Sequence, residues 1–305
     1  MQIQINNEYS KLKTVVLGIA NNTGGQPHLD DAYDPKTKEF IKKGIYPLER
    51  HMIPEMEAFA QLLENYNVEV LRPNDMVSVN QIFTRDICFA IGDKLVIPEI
   101  IRERKPEQVA IQKYIDIIPE ESVLKPPKTV HIEGGDVVVH GDYVFVGYSD
   151  EQDFYNFKTA RTNEEGLTFL QNSFPDKKVI GFQLKKSDYA PMENALHLDC
   201  CFQPLGLGHV LLFEDGFQHQ SDLDQINTIF GEDKMIKVSR DEMYNMNCNV
   251  FSIDKDVVVS ERGFIRINEK LRSLGYTVEE VPYYQISKQE GLLRCSTLPL
   301  LRSND

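Results

Sequence analysis

The stretch RDICFAIGDKLVIPE, residues 85–99, joins two short apolar runs through a Gly-Asp turn and begins with a charged pair. Two apolar runs separated by such a turn are typical of a β-hairpin. The pattern recurs as GDVVVHGDYVFVGYS at 135–149, LDCCFQPLGLGHVLLFED at 198–215 and CNVFSIDKDVVVSER at 248–262, with a weaker copy, KTVVLGIANN, at 13–22. A repeated unit therefore determines the predicted fold, and no single element does so alone.

An amphipathic segment and another short apolar run follow each hairpin. After the first copy, apolar residues fall at helical spacing: Met52, Met56, Phe59, Leu62 and Leu63. Thr162 and Glu165 have the spacing of a capping box before a later helix. Gly275 suits the position just beyond the end of the last helix. Each unit is thus predicted to be ββαβ.

Five such units, with strands inward and helices outward, would close into a ring about a pseudo-five-fold axis. The predicted fold class is α/β, a five-bladed ββαβ propeller forming one domain over residues 1–305. A generic α/β domain with hairpins alike by chance is the alternative. The repeat is favoured because a polar residue directly precedes the first strand of each full copy, namely Asp86, Asp136, Asp199 and Asn249. Equivalent side chains would converge on the axis, where a ligand could bind.

Composition excludes several classes of protein. With 33 basic and 47 acidic side chains the formal charge is −14, which argues against a nucleic-acid partner. No run approaches the length of a membrane-spanning helix, and the first residues lack the apolar core of a secretory signal. The five cysteines form neither a CxxC pair nor a zinc spacing, so we expect a cytoplasmic protein without disulfides or a metal.

Three stretches carry residues suited to catalysis. In HLDCC, His197 and Asp199 would share one side of a strand, as in an oriented acid–base pair. In EGLLRCSTLPL, Cys295 follows Arg294, a cation that can lower the pKa of a thiol. In HIEGGD, Glu133 stands beside two glycines that permit close approach. A structural His, a buried Cys and a solvated turn are the alternative interpretations.

Carboxylates at the repeated positions suggest a cationic ligand. Asp86, Glu133, Asp136 and Asp199, with one His and one Cys, fit a planar guanidinium that accepts attack by a thiolate. In FTRD, residues 83–86, the adjacent charged pair would form either an ion pair at a sheet rim or a substrate clamp.

These motifs together resemble the guanidino-group-modifying superfamily, which includes arginine deiminases, dimethylarginine dimethylaminohydrolases and amidinotransferases. Its members share the pentein fold, a five-bladed ββαβ propeller. The matching pieces occur in the family's order as FTRD, IEGGD, RTNEEG, HLD, NCNVFSI and RCSTLPL. The run EGLLRC departs from the Gly-rich run that often precedes the family's nucleophile, so the substrate contacts of this loop are not implied by the resemblance.

The resemblance implies a role for each matching residue. Cys295 would be the nucleophile, His197 the general acid and base, and Glu133 the carboxylate that orients the histidine. Asp86 and Asp199 would hold the guanidinium. The remaining predicted substrate-binding residues are Asp136, from the carboxylate pattern, and Arg161 and Arg104, which the resemblance places near the carboxylate end of the substrate.

The expected function is hydrolysis of the guanidino group of arginine or a close derivative, such as methylarginine, through a covalent thiouronium intermediate and without a cofactor. An amidinotransferase, which would pass the amidino group to an amine, is the alternative within the superfamily. A non-catalytic binding protein of the same fold is a further alternative, disfavoured by the presence of both His197 and Cys295. Pairing of exposed hairpin edges into a homo-oligomer is left open.

Overall fold

A computed structural model describes residues 1–303 and contains, within them, five three-stranded sheets. The strands are β1 (Leu12–Leu17), β2 (Glu69–Leu71), β3 (Phe89–Ile91), β4 (Lys94–Val96), β5 (Val123–Leu124), β6 (Val137–His140), β7 (Tyr143–Tyr148), β8 (Lys178–Gln183), β9 (Phe202–Pro204), β10 (Val210–Leu212), β11 (Met235–Lys237), β12 (Phe251–Asp254), β13 (Val257–Glu261), β14 (Thr277–Val281) and β15 (Thr297–Arg302). Each sheet is one blade of the predicted propeller.

All five blades have the same topology. The first strand of a blade pairs antiparallel with the second, and the second pairs parallel with the third, as in β6, β7 and β8. The middle strand is thus covered on both edges and carries a nearly continuous apolar run, such as the buried segment 144–146 of β7. The ββαβ prediction is confirmed, and the fold class is α/β with five-fold pseudosymmetry.

The ring closes by pairing the two ends of the chain. β15 supplies the first strand of the blade that contains β1 and β2, and Leu17 lies opposite Thr297 in the antiparallel register. The sequence indicated only a weak copy at 13–22, because its missing first strand lies about 280 residues later in the chain. Cys295, just before β15, therefore occupies the position that Asp86, Asp199 and Asn249 occupy in other blades.

Most helices connect the second and third strands of a blade, whereas three short ones join one blade to the next. They are α1 (Pro35–Lys42), α2 (Glu49–Asn65), α3 (Thr84–Ile87), α4 (Lys105–Ala110), α5 (Gln112–Ile115), α6 (Glu151–Asn156), α7 (Glu164–Ser173), α8 (Gln220–Phe230), α9 (Arg240–Tyr244), α10 (Ile265–Ser273) and α11 (Tyr284–Ser287). None of the helices in residues 1–303 is both long and apolar enough to cross a membrane.

The predicted helix signals are mostly correct. The apolar stripe of α2 is buried except at Leu62, which is half-buried. Gly275 follows α10 with φ of +93°, where an L side chain would be strained. The predicted capping box was wrong by one residue, because Asn163 is the N-cap of α7 and its side chain accepts from the Gly166 N–H. The Thr162 hydroxyl instead donates to Asp136.

Short helical turns place the polar residues just ahead of their strands. Asp86 lies in α3, Asp136 in the 3-10 turn Gly134–Asp136, and Asp199 in the 3-10 turn Leu198–Cys200. The expectation that His197 and Asp199 share one face of a strand was therefore wrong. The turn between them sends their side chains to different partners, which are described next.

Candidate active site

Cys295 lies at the bottom of the site, with 1% of its surface exposed. Its Sγ is 3.1 Å from Asn249 Nδ2, which donates to it, and its own backbone N–H donates to Asn249 Oδ1 at 3.1 Å. Asp199 Oδ2 lies 3.7 Å from the sulfur. The amide of Asn249 therefore fixes both the backbone and the thiol of the predicted nucleophile, which is consistent with its place in the repeat.

His197 is held by Glu133 and faces Asp86. His197 Nε2 is 2.9 Å from Glu133 Oε2, and Nδ1 is 3.7 Å from Asp86 Oδ1. A Cβ atom on Gly135 would lie 2.6 Å from His197 Nδ1 and 2.8 Å from Asp86 Oδ1, so only glycine fits beneath the ring. Because Nε2 is engaged by Glu133, Nδ1 is the ring nitrogen available to exchange a proton with a ligand.

Two arginines stabilise Glu133 as a carboxylate. Arg161 Nη1 donates to both oxygens at 3.2 and 3.1 Å, and Arg104 Nη1 lies 3.3 Å from Oε2. Burial raises the pKa of Glu133, but Arg161, the histidine and Arg104 outweigh it, so the net pKa is lowered. Burial lowers the pKa of His197, but the charge of Asp86 and the hydrogen bond to Glu133 outweigh burial, so the pKa is raised above its ordinary value and the protonated imidazole is favoured.

The electrostatic environment of Cys295 disfavours the ionised form of its thiol. Burial raises its pKa, and the negative charges of Asp199 and Asp86 raise it further, well above the ordinary value. Arg294 lowers this pKa only in part. A free site therefore holds a neutral thiol, and a cation placed between Asp86 and Asp199 would favour the thiolate.

Asp86 and Asp199 share a geometry suited to a guanidinium. Arg104 Nη1 binds Asp86 Oδ2 at 2.7 Å, and Arg294 Nη1 binds Asp199 Oδ2 at 2.8 Å. Within residues 1–303, Asp86 Oδ1 is buried without a hydrogen-bond partner, whereas Asp199 Oδ1 has only the thiol sulfurs of residues 200 and 295, at 3.8 and 3.9 Å. Each carboxylate is thus fixed through one oxygen and offers the other.

A cavity of about 570 Å³ reaches Asp86 of this pair. Phe83 and Leu196 also form part of its lining. Further lining residues lie between positions 23 and 46, including Thr37 of α1. The volume accommodates a small guanidino compound.

The other predicted substrate-binding residues contact protein groups. Arg104 and Arg161 line the cavity, but their guanidinium groups bind Glu133, with Arg104 also bound to Asp86 and Glu107. Asp136 accepts from the hydroxyl of residue 162 at 2.7 Å and the N–H of residue 198 at 2.9 Å. Direct contact of these three residues with a substrate stays a prediction.

Two features of the site were missed from the sequence. Glu8 is buried against Arg294, with oxygen-to-nitrogen distances of 3.0 and 3.2 Å, and nothing in its local sequence indicates this. Arg85 Nη2 lies 3.8 Å from Glu8, whereas Asp86 is paired with Arg104, so the expected ion pair between the two neighbours is replaced by two other pairs, and the clamp stays a prediction. Asn249 could be recognised from the sequence, because it occupies the polar position that is repeated before the first strand of each copy.

Asp86, Glu133 and His197 bring one ligand atom each within 4.8 Å of one another, a spacing that a metal ion could bridge. The guanidinium groups of Arg104 and Arg161 already place two positive charges on these carboxylates. A divalent cation at the same point would be repelled by both arginines. The expectation of no metal stays a prediction.

Comparison with known proteins places the chain in a family. The model of the family described as N,N dimethylarginine dimethylhydrolase, eukaryotic, matches residues 30–302. The chain therefore belongs to this family, which lies within the pentein superfamily of guanidino-modifying enzymes. The resemblance inferred from the motifs is confirmed.

The individual proteins that the chain resembles share low sequence identity with it. The uncharacterized protein YkgA of Bacillus subtilis is 29% identical over 244 residues, covering 79% of this chain and 77% of YkgA. The N-terminal domain of cyanobacterial ArgZ, covalently bound to a reaction intermediate, has a TM-score of 0.78 at 20% identity, covering 95% of this chain and 98% of that domain. SxtG, an amidinotransferase from Microseira wollei, has a TM-score of 0.77 at 19% identity, covering 99% and 98%. These structural likenesses show the fold.

The chain is shorter than some of its relatives. It spans 33% of AgrE from Nostoc and 29% of ArgZ from Synechocystis, both described as bifunctional arginine dihydrolase/ornithine cyclodeaminase. It matches them at 22% and 24% identity over 81% and 72% of its own length.

Proposed function

We propose that this protein is a cysteine-dependent hydrolase that acts on the guanidino group of arginine or a close derivative. Membership of a guanidino-modifying family supports the reaction class. The observation that carries the proposal is the pair of carboxylates, Asp86 and Asp199. Each is bound to an arginine through one oxygen, and the described part of the chain offers no N–H or O–H donor to the other oxygen. We further propose that residues 1–305 act as one catalytic domain, because β15 completes the blade begun by β1.

Substrate binding prepares the nucleophile. The guanidinium donates N–H bonds to Asp86 Oδ1 and Asp199 Oδ1, so its central carbon lies against the Sγ of Cys295. Its positive charge offsets the two carboxylates that hold the thiol neutral. The thiol of Cys295 then releases its proton to solvent water, and the thiolate forms only when a cation is present. This requirement protects the buried thiol from reaction in the empty site.

The first half of the reaction forms a covalent intermediate. The thiolate of Cys295 attacks the guanidinium carbon and makes the C–S bond of a tetrahedral adduct. Protonated His197 gives its Nδ1 proton to the departing nitrogen, and the C–N bond breaks. The released amine carries that proton, and Cys295 retains an S-alkylthiouronium group. Glu133 keeps the imidazole oriented and supports its charged form.

The second half regenerates the thiol. Neutral His197 takes a proton from water, and the resulting hydroxide attacks the thiouronium carbon. The C–S bond breaks, its electron pair returns to the sulfur of Cys295, and the proton of the new hydroxyl group passes to that sulfur. The product then has a C=O in place of the departed nitrogen, and Cys295 is again a thiol. Asn249 Nδ2, 3.1 Å from the sulfur, donates to the thiolate both when it forms and when it is released.

Product analysis on a small guanidine panel tests the proposal. Arginine and N-methylated arginines are incubated with the protein, with and without glycine as an acceptor amine. Citrulline with ammonia or an alkylamine is the expected result, and both must vanish in Cys295→Ala. Cys88→Ala is the matched control, because Cys88 is an equally buried cysteine in an apolar cluster.

Two other results would contradict hydrolysis. Ornithine together with a new guanidino compound, formed only when the amine is present, would indicate an amidinotransferase. Binding of guanidines without any product would indicate a non-catalytic protein. Undiminished citrulline formation by Cys295→Ala would remove the thiol from the mechanism.

A further inference from the structure

Another cavity, of about 410 Å³, lies between α9, the start of α10 and α11. It shares none of its described lining residues with the cavity that reaches Asp86, and no residue that the proposed reaction uses lines it. The volume accommodates a small organic molecule, so this cavity is a candidate for a ligand site apart from the catalytic one.

Negative charge predominates in the lining of this cavity. Three carboxylates, those of Asp241, Glu242 and Glu261, stand against the single guanidinium of Arg266. Arg266 is committed to Glu242, with nitrogen-to-oxygen distances of 2.6 and 2.5 Å. Glu261 is buried, its Oε2 accepts from the Gly263 N–H at 2.5 Å, and within residues 1–303 its carboxylate has no ion-pair partner. The cavity therefore favours a cationic ligand.

Asn247 adds an unpartnered acceptor to the same lining. The residue is 4% exposed, and its Oδ1 is buried without a hydrogen-bond partner in the described part of the chain. Buried side-chain oxygens usually have a donor, so the missing donor indicates that a bound molecule supplies it. An ammonium has three N–H groups and no acceptor, and so can donate to Asn247 and Glu261 together.

Apolar side chains line the more exposed part of this cavity. Tyr284 and Ile265 are 52% and 61% exposed, and the buried ring of Phe264 also contributes to the lining. An apolar group attached to the ammonium would cover these side chains and remove their surface from water. Buried polar groups and exposed apolar groups thus lie at different depths of one cavity.

We propose that this cavity is a second ligand site, which binds a primary ammonium joined to an apolar group. The ammonium donates to Asn247 Oδ1 and to the carboxylate of Glu261, while the apolar group packs against Tyr284 and Ile265. Arg266 stays paired with Glu242, so a carboxylate on the ligand would meet only like charge here.

A short segment of chain joins the proposed site to the nucleophile. Asn247 lies two residues before Asn249, whose Nδ2 is 3.1 Å from the sulfur of Cys295. Met246 has φ of +70°, an uncommon conformation for a residue other than glycine, and its carbonyl accepts from the Asn249 N–H at 2.9 Å. A donor bound to Asn247 would stabilise this segment, so the bound amine should suppress local opening around Cys295.

Matched ligands test the chemistry of the site. Calorimetry on the wild-type protein compares 2-phenylethylamine with 2-phenylethanol, which has the same apolar group and no charge, and with methylamine, which has the charge and no large apolar group. We expect 2-phenylethylamine to bind at least about tenfold more tightly than either. Equal affinity of either comparison ligand, or no binding of 2-phenylethylamine, overturns the proposal.

Variants assign the binding to this cavity. Glu261→Gln keeps an acceptor for Gly263 and removes the charge, so it should weaken 2-phenylethylamine at least about fivefold, whereas Asn247→Asp adds a charge and should tighten it at least about threefold. Asp86→Asn, in the other cavity, and Glu64→Gln, at an exposed position of α2, should leave its affinity unchanged.

The opposite pattern overturns the second site. Weaker binding in Asp86→Asn with unchanged binding in Glu261→Gln would place the amine in the guanidine cavity, and unchanged or weaker binding in Asn247→Asp would remove the contact with Asn247. Circular dichroism shows whether each variant is folded, and the comparison of ligands on wild-type protein decides the proposal if one is not.

Alkylation of Cys295 tests the connection to the nucleophile. Iodoacetamide is applied without a guanidine, and peptide mapping gives the rate of modification. Saturating 2-phenylethylamine should slow this rate at least about threefold in wild-type protein and leave it unchanged in Glu261→Gln. An unchanged rate in wild-type protein overturns the connection. Neither measurement requires turnover of a guanidine, so the second site and the proposed hydrolysis can fail separately.

Discussion

Glu8 is far from Cys295 in the sequence, but its side chain contacts Arg294, the residue directly before the nucleophile. We predict that the carboxylate of Glu8 stabilises the fold. Its carboxylate binds Arg294 through two contacts of 3.0 and 3.2 Å, and Arg294 in turn holds Asp199 Oδ2 at 2.8 Å. Glu8→Gln keeps the shape of the side chain and removes its charge. The change should leave Arg294 with one buried anionic partner and loosen Asp199 beside Cys295.

The magnitude follows from the pKa of Glu8. Burial raises this pKa, but Arg294 and Arg85 outweigh burial and lower it from 4.5 to about 2. At about 1.4 kcal/mol for each pKa unit, the folded state gains about 3 kcal/mol from the ionised carboxylate. Because the folded pKa lies below the unfolded value, the gain is complete above 4.5 and is lost as the pH falls towards 2.

Urea unfolding of wild type and Glu8→Gln tests this prediction. The difference in free energy of unfolding should be about 3 kcal/mol at neutral pH and about 2 kcal/mol at pH ~3.5. The difference shrinks with acid because protonated Glu8 is neutral, as glutamine is. Glu64→Gln, on the exposed face of α2, should change stability by less than about 0.5 kcal/mol at either pH. A difference that is below about 1 kcal/mol, or that does not shrink with acid, would refute the electrostatic account.

Three further predictions concern the catalytic groups. Asn249→Ala removes both contacts to Cys295 and should lower kcat by about 10²-fold or more without unfolding the protein, as stopped assays and circular dichroism would show. After Asp86, the hydrogen bond to Glu133 contributes to the raised pKa of His197, so Glu133→Gln should move the alkaline limb of kcat/KM to lower pH; an unmoved limb would contradict the pairing. Gly135→Ala places a methyl 2.6 Å from the imidazole and should reduce activity at least about tenfold, whereas activity equal to wild type would show that the ring can move aside.

The repeat could be recognised from sequence because it is local. Each hairpin carries its apolar runs and turn within about 15 residues, and the polar position before each first strand marks the axis. The closure of the ring could not be recognised in this way. β15 pairs with β1 across the whole chain, and no local pattern specifies such a partner.

The residues of the site also fall into those that a local motif indicates and those that only the folded structure brings together. Cys295, His197 and Glu133 lie in short motifs, and the structure brings His197 to within 2.9 Å of Glu133. The contacts of Glu8 and the internal pairing of Arg104 depend on side chains that meet only in the folded ring. Motifs thus indicate which residues assemble at the axis, while the charge balance of the cavity requires three-dimensional distances.

Peptide mapping by mass spectrometry of wild-type protein, acid-quenched during turnover of a guanidine, tests the central claim most directly. We predict that the peptide containing Cys295 gains the mass of the guanidine substrate minus the departed ammonia or alkylamine, and that the peptides of the other four cysteines do not. Accumulation of product with the Cys295 peptide unmodified at every time point, or this adduct on another residue, would contradict covalent catalysis by this thiol.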